Sequence, residues 1–216
     1  MRLYLASTSP ARLWLLHNAG IEPVVVPSHV DEPAAVAAAE AEHGTLAADH
    51  MVQLLARAKA EAVVGAEVAE AAIDGIIVGC DSAFELGDTV YGKPHKADIA
   101  TERWRGQRGR TGVLHSGHWV IDHRGGEARA AVGAVAQASV SFVPDMTDAE
   151  IDAYVASGEP LQVAGAFTID SLGGAFIERI DGDPSTVVGM SLPTLRRLIR
   201  SLGVEWTALW NLGNRL

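Results

Sequence analysis

At 216 residues, 48% of them hydrophobic, the chain can bury one substantial core or two closely joined lobes. Its net charge of −10 disfavours binding to a nucleic-acid backbone, which needs a basic face, and no apolar run reaches the length of a membrane span. A single cysteine excludes an intramolecular disulfide, and the start at Met1 enters strand-like sequence without a signal peptide, so a cytoplasmic location is expected.

Arg2 to Ala6 reads as the first strand. Ser9 as N-cap, Pro10 at the first helical position and Gly20 past the end then bound a helix with Leu13 and Leu16 on one face. The first turn of that helix offers free N–H groups, nearby hydroxyls on Ser7 and Ser9, and Arg12. Capping alone explains Ser9 and Pro10. Arg12 opposes the helix dipole there, a conflict that a bound phosphate would resolve. Val24 to Val26 is a second strand, followed by a polar exit through His29, Asp31, Glu32 and Pro33. Residues 34–44 are Ala-rich with scattered Glu, a solvated helix or a mobile segment. From about Thr45 a firmer helix carries Val52, Leu55, Ala56, Lys59 and Val63 at helical spacing. Lys59 on that stripe either snorkels or points its charge into a cleft.

Ile76 to Cys80 is an apolar run after the turn pair Asp74-Gly75, the pattern of a strand buried on both faces. Asp81 is expected where that strand leaves the sheet, the position at which open α/β sheets place ligands. Cys80 reads as a small buried hydrophobe. Gly92-Lys93-Pro94 returns a cation twelve residues later. Gly87 to Lys93 begins like a P-loop, but Pro94 stands where Ser or Thr must hold Mg²⁺, and Asp88 to Tyr91 reads as strand. Fourteen Arg accompany three Lys, and Lys is a point charge where Arg is a planar fork. Lys59 and Lys93 therefore stand out.

Ala97 to Arg105 is a helix, Gly106 to Arg110 a basic loop, and Val113 to Asp122 a strand. His115 and His118 face opposite sides of that strand, a poor metal pair. Residues 132–143 form another strand, and Thr147 to Glu150 is a capping box opening a helix that ends at Gly158. Glu159 to Gly174 has no helical period. Ala175 to Ile180 is a strand, Asp181 to Pro184 a turn, Thr186 to Val188 a short extended piece, and Ser191 to Leu202 the last helix. With no linker or internal repeat, residues 1–216 read as one α/β domain.

Four blocks carry a resemblance to the Maf family of nucleoside triphosphate pyrophosphatases: Leu5 to Pro10 with Arg12; Leu55 to Ala60; Gly79 to Asp81 with Gly92 to Pro94; and Tyr154 to Pro160, running on to Ala164–Ile169 and Gly182–Gly189. Each is weak alone, and their order makes the match specific. The resemblance implies an elongated mixed sheet with packed helices, two lobes around a cleft, and often a homodimer. It also implies hydrolysis of nucleoside triphosphates, including non-standard or modified ones, to monophosphate and pyrophosphate with Mg²⁺ or Mn²⁺. By the same resemblance, Asp81 and Glu32 are the catalytic and metal-binding acids, and Ser7, Ser9, Arg12, Lys59 and Lys93 bind the phosphates. Three positions depart from the family pattern and are linked to substrate choice: Ala11 where an arginine is common, Ser82 where threonine is usual, and Asp170 where glutamine is usual. Sequence does not separate a proton-accepting Asp81 from a metal-ligating one. A nucleotide-binding regulator of cell division with little turnover is the competing reading.

Overall fold

The computed structural model describes residues 1–211. Its strands, in chain order, are β1 (Leu3–Leu5), β2 (Val24–Val25), the hairpin β3 (Glu67–Val68) and β4 (Ala71–Ala72), β5 (Gly75–Leu86), β6 (Thr89–Tyr91), β7 (Thr111–His123), β8 (Ala130–Phe142) and β9 (Ile177–Gly182). The helices are α1 (Pro10–Asn18), α2 (Glu32–His43), α3 (Ala48–Ala62), α4 (Ala97–Gln107), α5 (Asp148–Ala156), α6 (Pro184–Val188) and α7 (Leu192–Ser201). Seven strands form one mixed sheet in the order β2-β1-β5-β7-β8-β9, with β6 paired to β5. β1 runs parallel to β2 and β5, whereas the β5–β6 and β8–β9 pairs are antiparallel. A mixed α/β fold is therefore what the chain adopts.

Two compact units divide the chain. The first comprises Met1–Asp81, Ser116–Ala136 and, of the described residues, 189–211; the second comprises Ser82–His115 and Gln137–Val188. Tyr4, Ala60, Val63, Ile73, Ile77 and Ile121 share a buried cluster in the first unit. The second unit is centred on aromatic rings. Trp104 meets Phe142 and Tyr154 edge to face at 5.4 and 5.3 Å, and its indole N–H donates to the Ala166 carbonyl at 2.7 Å. Buried indoles need such a partner, and this one ties α4 to an otherwise irregular stretch.

Local signals account for the starts of α1, α2 and α5. Ser9 caps α1 by accepting from the Arg12 N–H, with Pro10 in the first turn, and both halves of the Thr147/Glu150 capping box are formed on α5. The Ala-rich stretch is helix α2, opened by the Asp31 carboxylate on the Ala34 N–H and without a buried residue. Some expectations fail. β9 begins at Ile177 and runs on to Gly182, so Asp181 and Gly182, expected in a turn, pair with β8 instead. β5 does not end at Cys80: it runs on to Leu86, so Asp81 lies inside a twelve-residue strand. The reason is tertiary, since the acid does not stop a strand whose next residues, Ala83, Phe84 and Leu86, are again buried and whose Phe84–Leu86 pair with β6. Only the parallel neighbour stops. β1 pairs Leu3–Leu5 with Ile76–Val78, and Asp81 lies three residues beyond that register. Thr186–Val188, read as extended, is part of α6 instead. Asp183 accepts from the Ser185 N–H and from the Ser185 and Thr186 hydroxyls, and Pro184 follows it, a helix start concealed in a turn-like sequence.

In the first unit α3 lies directly on sheet backbone. A methyl carbon on Gly79 of β5 would fall 2.2 Å from the Ala56 carbonyl oxygen, and one on Gly117 of β7 would fall 2.2 Å from that of Val52. Val52 and Ala56 are one turn apart on α3, so the two glycines form a bed for one helix face. Gly79→Ala must lift the helix, because what it meets is backbone. Overpacking of this kind costs about 1–3 kcal/mol. The thermal midpoint should fall by roughly 5–10 °C at the upper end of that cost, measured by calorimetry; an unchanged midpoint would show that α3 does not rest on the strand.

Candidate active site

The glycine bed brings a lysine onto an aspartate. Asp81 follows Gly79 by two residues on β5 and so projects from the same face of the strand, toward α3. Lys59 stands three residues after Ala56 on that helix, and its ammonium reaches Asp81 Oδ1 at 2.7 Å and Glu32 Oε1 at 2.8 Å. The lysine and aspartate side chains are 9% and 11% exposed, that of Glu32 48%. The ammonium therefore does not snorkel to water but sits between two carboxylates, one inside and one at the rim. Glu32 reaches it from the first residue of α2, held there by the Asp31 cap.

Arg12 belongs to the same unit. Its Nε donates to the Gly189 carbonyl at 2.8 Å and one terminal nitrogen to Ser7 Oγ at 3.2 Å, while Ser7 Oγ also accepts from the Ser9 N–H. Ser7, Arg12, Lys59 and Asp81 are all buried. Burial raises the pKa of Asp81, and the positive charges of Lys59 and Arg12 pull against that rise. Cys80 is pushed to about 11 by burial, too high to supply a thiolate.

The remaining sequence candidates are distributed otherwise. Ala11 lies in the first turn of α1, partly buried. Lys93 and Asp170 are exposed and Ser82 partly buried, all three in the second unit. Lys93 precedes α4 by four residues, so no helix opens on it as a P-loop would require. His115 and His118 do serve different partners: His115 Nε2 meets Glu85 at 2.9 Å, whereas His118 Nε2 accepts from the Ser191 N–H.

One carboxylate was not singled out from sequence. Glu159 opens the aperiodic stretch and gathers five donors: the Tyr154, Thr168 and Ser171 hydroxyls and the Leu172 and Gly173 N–H groups. That stretch folds as three short 3-10 turns, Glu159–Gln162, Ala164–Ala166 and Leu172–Phe176, with Asp170 between two of the anchored residues. The available signal was a charged residue among glycines and hydroxyls. What it lacked was any periodicity to say that those groups converge.

A model of the family described as Maf-like protein matches residues 2–202. A nucleoside triphosphate pyrophosphatase of Leifsonia xyli subsp. xyli is 74% identical over 211 residues, covering 98% of this chain and 97% of that protein. Proteins of the same description from Cutibacterium acnes and Rhodococcus opacus are 50% and 47% identical, each over at least 96% of this chain and 93% of its own length.

The Glu159 cluster carries an acid dependence. Partial burial opposes the carboxylate, but the hydrogen bonds from Thr168, Ser171, Gly173 and Leu172 outweigh it and lower its pKa from 4.5 to about 2. A folded value below the unfolded one stabilises above the ordinary pKa and ceases to do so as pH falls through the folded value. The segment 159–174 should therefore loosen between about pH 4.5 and 2. Amide exchange at Leu172 and Gly173 should rise across that window beyond its intrinsic pH dependence, and Glu159→Gln should remove the step. A step that persists in the variant would assign it to another group.

Proposed function

This chain belongs to the Maf family, and from that premise we propose that it is a nucleoside triphosphate pyrophosphatase cleaving the α–β phosphoanhydride with water to give monophosphate and pyrophosphate. The observation that carries the reading is the Lys59 ammonium held between Asp81 and Glu32, with Arg12 also buried in the same unit. A triphosphate concentrates negative charge, and its transition state calls for fixed cations more than for covalent chemistry. Lys59 and Arg12 are such cations. Lys93, Ser7 and Ser9 complete the phosphate-binding set in this proposal.

Asp81 takes the proton of the attacking water. Its burial favours that role, because a carboxylate whose pKa is raised is a better proton acceptor near neutrality. A divalent cation also fits the donor chemistry. Asp81 and Glu32 supply hard carboxylate oxygens, and two such ligands leave room for phosphate oxygens and water, the environment that Mg²⁺ or Mn²⁺ prefers. Those two residues would hold it, and the bound ion would neutralise charge on the triphosphate. In this proposal residues 1–216 act as a single catalytic domain. The expected homodimer and cytoplasmic location rest on the family resemblance and on the sparse cysteine.

The direct test incubates purified protein with a panel of nucleoside triphosphates, non-standard ones included, and Mg²⁺ or Mn²⁺. Monophosphate plus pyrophosphate is the expected pair; diphosphate plus single phosphate would reject the reading. Asp81→Asn should remain folded, since the amide oxygen still accepts from Lys59 and Glu32 still pairs with it. Its turnover should fall by about 10²–10⁴-fold, the usual cost of losing a general base. Activity within a few-fold of the parent would reassign Asp81.

Ala11, Ser82 and Asp170 set the base preference in this proposal. Asp170 is exposed and flanked by Ser171, which Glu159 anchors, so its backbone is held while its carboxylate stays accessible. An ionised Asp only accepts hydrogen bonds, whereas Gln both donates and accepts. It suits the paired N1–H and N2–H₂ donors of guanine better than the carbonyl oxygens of uracil or thymine. Asp170→Gln should therefore shift kcat/KM toward UTP and dTTP relative to GTP. Identical ratios in the two proteins would show that residue 170 does not read the base.

A further inference from the structure

A second layer of buried polar contacts stands behind Arg12. His118, in the middle of β7, is fully buried. Its Nε2 accepts from the Ser191 N–H at 2.8 Å, and its Nδ1 lies 3.3 Å from the Ala134 carbonyl on β8. The two contacts require one tautomer. An Nε2 that accepts cannot carry a proton, so Nδ1 carries it and donates to Ala134. The imidazole thus ties the start of α7 to the sheet through neutral hydrogen bonds. Two residues before Ser191 is Gly189, and its carbonyl accepts from Arg12 Nε at 2.8 Å. Arg12 in turn holds Ser7 through a second nitrogen.

We propose that His118 is a positioning residue for triphosphate binding: by fixing the Gly189–Ser191 backbone it sets where the Arg12 guanidinium points. The inference rests on the phosphate-binding reading of Arg12. The physical reason for a histidine here is its reach. A buried strand can present a rigid acceptor to a backbone N–H several ångströms above the sheet only through a side chain that also satisfies its own second polar atom, and the imidazole does both with a single flat ring. Gly189 makes the dependence on His118 sharper. Glycine has the most backbone freedom of any residue, so its carbonyl direction is set by its neighbours, and the neighbour tied down by a side chain of the sheet is Ser191. Small displacements of a charge-bearing group matter at such a site, where a misplacement of about 1 Å can cost roughly 10²-fold in rate.

The test is a double-mutant cycle on kcat/KM for a nucleoside triphosphate, with folding checked by thermal midpoint. His118→Asn keeps a donor for Ala134 but is too short to accept from Ser191, and it should raise KM about tenfold, a loss within what such misplacement produces. His118→Gln restores an acceptor near the Nε2 position and should recover most of that loss. In an Arg12→Gln background, His118→Asn should cost less than about twofold, because the group it positions is gone. Equal losses in both backgrounds, or a His118→Gln protein as impaired as His118→Asn, would overturn the proposal. If Arg12→Gln alone leaves kcat/KM unchanged, the phosphate role of Arg12 fails and this inference falls with it, a result distinct from equal losses. Should His118→Asn not fold, Ser191→Pro removes the same hydrogen bond from the other side, at a φ of −68° that proline adopts, and Ser191→Ala, which loses only the hydroxyl that caps α7 on Thr194, is its control. The loss in Ser191→Pro beyond that control should likewise vanish without Arg12, and a loss that persists there would overturn the proposal.

Discussion

The buried ammonium of Lys59 is the contact on which the first unit turns. A lysine taken out of water is tolerated only when its charge is answered, and here Asp81 answers from the sheet and Glu32 from the rim. Removing the lysine would strand Asp81, whose own burial already disfavours its charged form. Removing one acid leaves the other in place. That asymmetry explains how the site can hold a carboxylate far from solvent: one ammonium serves both acids.

Packing places that contact. The helix carrying Lys59 comes close enough to the strand carrying Asp81 because Gly79 and Gly117 present bare backbone beneath it. Any side chain at either point would raise the helix and lengthen the reach of the lysine. Thus the electrostatics of the site rest on two residues that carry no charge. Arg12 is placed by a different means, through carbonyl and hydroxyl partners on the Gly189 turn and Ser7, so Lys59 and Arg12 are located by independent parts of the fold.

Much of this was legible in the residues. Helix boundaries at Ser9, Thr147 and Ser191 follow from side chains that bond the nearest N–H groups, a local chemistry that sequence states directly, whereas the Asp31 cap lay in what read as a polar exit from β2. The helical stripe through Val52, Leu55, Ala56 and Lys59 is periodic and was readable for that reason. What escaped depended on contacts distant in the chain. The length of β5 past Asp81 is decided by its pairing with β6, and the Asp183 cap hid behind a turn-like Asp-Pro. The part played by the Gly189 carbonyl could not be read at all, since a backbone oxygen has no letter of its own.

Glu159 has a consequence for how the segment that follows it meets the outside. Proteases cleave chain that can be drawn out and threaded, and irregular stretches rich in small residues are their usual targets. The stretch from Glu159 to Phe176 has that composition but not that freedom, because one carboxylate grips hydroxyls and N–H groups up to fourteen residues away. A nick near Ser171 would require several of those bonds to release together. An acid at the mouth of a disordered-looking sequence thus acts as a clasp, giving durability to a segment that neither helix nor strand protects.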